Sequence, residues 1–180
     1  MKHLQKLIFF LFTLSLGITV LACKPTVKKL TIPFTDMTWD NTLEDIKSVE
    51  GEIVTTSPSA YNGTIYAFEK EYLGVTGNIK YSFDEENALK SVGWMYTSAS
   101  IEELETLYQK VCSETEKSYG KCGVDTTKYP NMKNSSAIGK FWYLDDGNIQ
   151  VLLVYAGDNS VFQVQYVHPN VASKNPNSVK

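Results

Sequence analysis

The chain has 180 residues, 43% of them apolar, with 17 basic against 20 acidic side chains and a formal net charge of −3. Every basic residue is lysine, so the chain lacks both the clustered positive charge of a nucleic-acid binder and the guanidinium forks that clamp phosphate. Of the two histidines only His168 lies outside the N-terminal apolar segment, which excludes a paired-imidazole metal site or mechanism; neither metal nor cofactor is expected.

Lys2 and Lys6 precede an uncharged apolar run from Leu7 to Leu21, closed by Ala22 and Cys23. A positive start, an apolar stretch and a small residue are the parts of a secretory leader, and the stretch is shorter than the ~20 apolar residues that span a bilayer. Val20-Leu21-Ala22-Cys23 resembles the lipobox of bacterial lipoproteins. The resemblance implies that residues 1–22 are removed, that the Cys23 sulfur carries a diacylglyceryl group, and that the chain is held by lipid at a bacterial membrane outside the cytoplasm. Lys24, where inner-membrane retention would call for Asp, favours the outer membrane or cell surface. Loss of Lys2 and Lys6 leaves 15 lysines against the 20 acids, in a chain long enough for one domain.

Lys24 to Pro33 holds three lysines and two prolines without a periodic apolar face, so residues 23–35 read as a tether. A helix follows, capped by Asn41 or Thr42, with Leu43, Ile46 and Val49 on one side and Gly51 as its stop. Strands are expected over Thr64–Tyr72, Gly77–Asp84 and Leu89–Tyr96, with Asp84-Glu85-Glu86-Asn87 as a turn. Ser100 and Glu103 form a capping box for a helix from Ile101 to about Tyr119, whose apolar face is Ile101, Leu104, Leu107, Tyr108, Val111 and Thr115. Cys112 lies some two turns before its end. Cys122 reaches it for a disulfide only if the chain folds back at Gly120; otherwise one thiol is buried and the other sits in a loop.

Three more strands follow at Ile138–Leu144, Ile149–Tyr155 and Val161–Val167. Asp146-Gly147 reads as a two-residue hairpin turn, pairing Leu144 with Ile149, Trp142 with Val151 and Lys140 with Leu153. Trp142, Leu144, Ile149, Val151, Leu153 and Tyr155 then share the core face with Phe162, Val164 and Tyr166, while Phe141, Tyr143, Gln150, Leu152, Gln163 and Gln165 face the other way. His168 beside Pro169 reads as structural, and residues 169–180 as a disordered tail.

The class is therefore α+β: an antiparallel sheet of six to seven strands with two helices on one face, in a single domain over residues 36–168 that divides into halves 36–97 and 98–168, each ordered α-β-β-β. Met37-Thr38, Glu44-Asp45-Ile46, Gly51, Tyr66-Ala67-Phe68, Gly77 to Asp84 and Asn87-Ala88-Leu89 resemble the pattern of the small lipoprotein of the outer-membrane barrel-assembly machinery. The tandem helix-then-sheet order is similar to that of β-lactamase inhibitor protein, from which it departs in lacking a double helix at the head of each module, with Val54 to Ser57 as a strand in its place. What both resemblances imply is a non-enzymatic, protein-binding role.

The acidic groups at Asp84-Glu85-Glu86, Asp145-Asp146 and Asp158 lack the twelve-residue spacing of a calcium loop and read as solvated turns. A Gly-x-Ser-x-Gly elbow does not occur. Aromatics offer the better candidate: with Phe83 and Leu89 inward, alternation turns Trp94 and Tyr96 outward beside Phe141 and Tyr143, unless a bulge at Gly93 reverses it. Such a surface suits a protein partner. The alternative is a carrier that holds a small apolar ligand or lipid between sheet and helices.

Overall fold

The computed structural model describes residues 30–128 and 136–176. Helix α1 spans Leu43–Glu50, and Thr42 caps it: its hydroxyl accepts from the Asp45 amide while the Asp45 carboxylate accepts from the Thr42 amide. Ile46 is fully buried, but Val49, expected on the same stripe, is 59% exposed. Helix α2 spans Ile101–Tyr119 and buries Leu104, Leu107, Tyr108, Val111, Cys112 and Thr115. Ser100 caps it by accepting from the Glu103 amide. The reciprocal half of the expected capping box is missing, because the Glu103 carboxylate turns instead to the hydroxyls of Ser98 and Tyr96.

Eight strands make one antiparallel sheet: β1 Thr55–Pro58, β2 Asn62–Tyr72, β3 Val75–Asp84, β4 Leu89–Ser98, β5 Val124–Asp125, β6 Ala137–Leu144, β7 Gly147–Val154 and β8 Ser160–Val167. The short outermost strands are β1, which overlaps the strand expected over residues 54–57, and β5, the one strand beyond the expected six to seven. The strand order is β1-β2-β3-β4-β8-β7-β6-β5. Each helix is thus followed by a four-strand meander, and the meanders meet through their last strands, Trp94 opposite Val164.

The β6–β7 turn is Asp145-Asp146, not Asp146-Gly147: Leu144 pairs with Gly147, Trp142 with Ile149 and Lys140 with Val151. The register is two residues from the expected one, so every side chain keeps its expected face. Gly147 opens β7 at φ 138°, where an added Cβ would lie 2.5 Å from the Val167 carbonyl oxygen. Core positions share one parity: Phe68, Ile79, Tyr81, Phe83, Val92, Trp94, Trp142, Ile149, Val151, Leu153, Phe162, Val164 and Tyr166. They form one cluster with Ile46 of α1 and the buried residues of α2.

Both expected flexible ends are more ordered than their composition suggests. Phe34 is buried, with its ring edge-on to Tyr72 and Tyr166, and Thr31 and Thr35 are hydrogen-bonded to Tyr119 and Tyr81. Residues 30–35 therefore belong to the domain rather than to a tether. Beyond β8, His168 packs edge-on against Trp39, and the Asn148 amide donates to the Ser173 carbonyl at 2.8 Å. Residues 169–176 thus continue the fold along the end of β7.

Candidate functional site

Because Ile79 and Tyr81 point into the core, Lys80 between them must project from the opposite face of β3. Its partners across the sheet are Ala67 on β2 and Gly93 on β4. Neither is large enough to stand beside it, so the lysine lies in a trough of about 200 Å³ lined by Ile65, Ser82, Ser91, Met95, Gln163 and Gln165. Gly93 lines the trough, and a Cβ there would lie 3.3 Å from the Val164 carbonyl oxygen and 3.6 Å from the Gln165 side chain.

The floor is polar and partly organised. Gln165 donates its amide to the Ser91 hydroxyl at 2.9 Å, and Gln163 leans on the Gln165 amide oxygen at 3.5 Å. Lys80 is half-buried, and desolvation holds its ammonium below the usual lysine range. Among the described residues Lys80 makes no ion pair. Lys70, Lys90 and Lys140, by contrast, sit 2.8, 2.9 and 3.0 Å from Glu50, Asp84 and Glu116. Along the same face the polar row continues through Gln150 to Phe141, with Met95 opposite Gln163 and Leu152 beyond it, and with Tyr143 opposite Asn148. A cationic trough with carboxamides, hydroxyls and an apolar margin can bind. Among the described residues that line the trough, Lys80 is the one titratable group.

Of the aromatics expected on this surface, Phe141 and Tyr143 lie here, half-buried. Trp94 and Tyr96 do not. The cause is a bulge three residues before Gly93: Ser82 pairs with Ser91 and Phe83 with Leu89, leaving Lys90 as an extra residue on β4 that inverts every later side chain. Trp94 is consequently 0% exposed. Its ring covers Gly77, and its indole N–H reaches across to the Lys70 carbonyl at 3.0 Å. Tyr96 stacks on Trp94 and donates to Glu103 of α2. The same inversion puts Ser91, Gly93 and Met95 on the trough side, which alternation from Leu89 had assigned to the core.

Cys112 is a buried free thiol on α2 and Cys122 a half-buried free thiol in the loop beyond Gly120, with burial pushing the first up to about 12 and raising the second. Cys23 lies outside the described residues. The acidic turn at Asp84 is occupied internally, its carboxylate accepting from the amides of Glu86 and Ala88 and pairing with Lys90. Lys80, Ser82 and Ser91 escaped the sequence reading; alternation around Tyr81 was the signal that could have found Lys80.

Fold and trough together define an α+β domain built on one eight-stranded antiparallel sheet with a polar, lysine-centred depression on the face away from its core. Comparison with protein families, curated proteins and solved structures finds no match for this chain.

Proposed function

We propose that this protein is a lipid-anchored, extracytoplasmic, non-catalytic module that binds another protein on the open face of its sheet. In this reading both helices cover one face of the sheet, and the other is left for a partner. The observation that carries it is the trough around Lys80, continuous with half-buried Met95, Leu152, Phe141 and Tyr143: a polar centre with an apolar margin, suited to a protein surface.

Anchoring at Cys23 is supported by the lipobox-like sequence. Leu30 sits against Gly147 and donates its amide to Asp146 at the β6–β7 turn. The seven peptide steps from Cys23 to Leu30 reach at most about 25 Å, so that end of the sheet would face the bilayer and the open face would stand sideways to it. The carrier alternative is less well supported, because the side chains that would line an internal pocket are packed ring against ring: Phe68 on Tyr81, Tyr72 on Trp94, and Trp94 on Phe162.

The test is photocrosslinking of the lipidated protein in its own membranes from an exposed position on the open face, Thr97, compared with an exposed position on α1, Ser48. A reproducible protein adduct from Thr97 but not from Ser48 is expected. Adducts from neither position would reject the reading. Intact-mass analysis checks the anchor, a chain still beginning at Met1 without added lipid being the contrary result.

A further inference from the structure

Resting on that reading, we infer that the trough recognises a carboxylate: an Asp or Glu side chain carried by the protein partner inserts between Ile65 and Gln163 and pairs with Lys80. Lys80 lines the depression and stands across from Ala67 and Gly93, the small partners on its two flanking strands. A half-buried ammonium that no described residue pairs with is unfavourable in the free protein, since desolvation weakens its charged form. An incoming carboxylate would restore that balance. It would also meet the hydroxyls of Ser82 and Ser91 and the carboxamides of Gln163 and Gln165, which can donate to its remaining lone pairs.

The chain's overall acidity sharpens the point. With acids in excess over lysines, a general basic attraction cannot bring an anionic partner here, so recognition must be local to this one cation. The trough also explains which residues are small. Gly93 and Ala67 keep access to Lys80 open, and Ser82 and Ser91 keep the floor low while remaining able to hydrogen-bond.

Carbodiimide coupling in intact native membranes tests the inference, because it joins an amine to a carboxylate only when the two are in contact: the reagent activates the carboxylate as an O-acylisourea, the deprotonated Lys80 amine displaces it to form the amide, and the carboxylate oxygen leaves in the urea. With the full lipidated chain, the expected product is an isopeptide between Lys80 and an Asp or Glu of another polypeptide, located by mass spectrometry. Lys80→Arg keeps the charge but cannot couple, so it should lose the isopeptide and keep the photo-adduct from Thr97. Lys80→Met and Lys80→Glu should reduce that photo-adduct about tenfold or more. Undiminished capture by Lys80→Glu, with Lys80 recovered as a free amine in the wild type, would overturn the carboxylate site and leave the protein-binding reading standing. An amide-linked small acid on Lys80 in place of a polypeptide would overturn the protein-borne source. No adduct from Thr97 in the wild type would overturn both.

Discussion

Lys70→Met should be among the most damaging single changes in the protein, and the reason is a carboxylate that cannot reach water. Glu50, the last residue of α1, has a side chain only 1% exposed, and Lys70 on β2 lies 2.8 Å from it. At that distance the attraction is about 6 kcal/mol for an effective dielectric of about 20, and it is offset by several kcal/mol of desolvation, so the intact pair contributes little net stability. Removing only the lysine leaves the desolvation uncompensated. An orphaned buried charge typically costs about 3–5 kcal/mol. The Tyr81 hydroxyl at 2.7 Å and the Thr35 hydroxyl at 3.2 Å still donate to Glu50, and Lys70 is itself 28% exposed, so about 2–4 kcal/mol is the expectation here. The double variant Glu50→Leu with Lys70→Met should recover most of the loss, since it removes both charges. Urea unfolding followed by tryptophan fluorescence at neutral pH measures both variants. A Lys70→Met penalty below about 1 kcal/mol, or a double variant no more stable than the single, would refute the reasoning.

Lys80→Met, the same substitution ten residues on, should be neutral or stabilising in the same assay, because it relieves a desolvated cation that pairs with no acid among the described residues; a clear loss would mean that Lys80 supports the fold. Gly77→Ala places a Cβ 2.6 Å from Trp94 Cζ2 and 2.4 Å from the Met95 carbonyl, and should lower stability by about 1–3 kcal/mol, read as a fall in Tm. Asp84 is held below the usual carboxylate range, first by its hydrogen bond to Lys90 and then by the Ala88 amide. Its contribution is therefore present above the unfolded-state value of about 4 and is lost as pH falls through the lowered one, so Asp84→Asn should flatten the acid limb of the stability profile. Alkylation at mildly alkaline pH should modify Cys122 in the folded protein and Cys112 only on unfolding; a mass two daltons short of the dithiol form would instead show the pair bonded.

Much of this architecture was legible in the chain because it rests on local rules. Helical spacing and the glycines at 51 and 120 located both helices, and alternation located the six long strands, each to within two residues at either end. Even where the β6–β7 turn was misplaced, a shift of two residues preserved the faces, since side-chain direction in a strand depends only on parity. The two edge strands were harder. Residues 54–57 read as strand although Thr55–Pro58 is exposed throughout, whereas the two half-buried residues of Val124–Asp125 are too few to show a pattern; both strands exist because a neighbouring strand offers unpaired amides and carbonyls.

The sequence alone determined the helices, the long strands, the lysine-only basic set and the lipobox-like start. Only the tertiary structure decided which side of the sheet each aromatic occupies, because one extra residue at Lys90 inverts everything after it and a bulge is a property of the pair of strands, not of either one. It likewise decided that residues 30–35 and 169–176 pack onto the domain, where Phe34 and Asn148 find partners far away in sequence. The trough around Lys80 belongs to the same category. Its lysine, its glycine and its glutamines come from β3, β4 and β8, and only strand pairing across the junction of the two meanders brings them onto one surface.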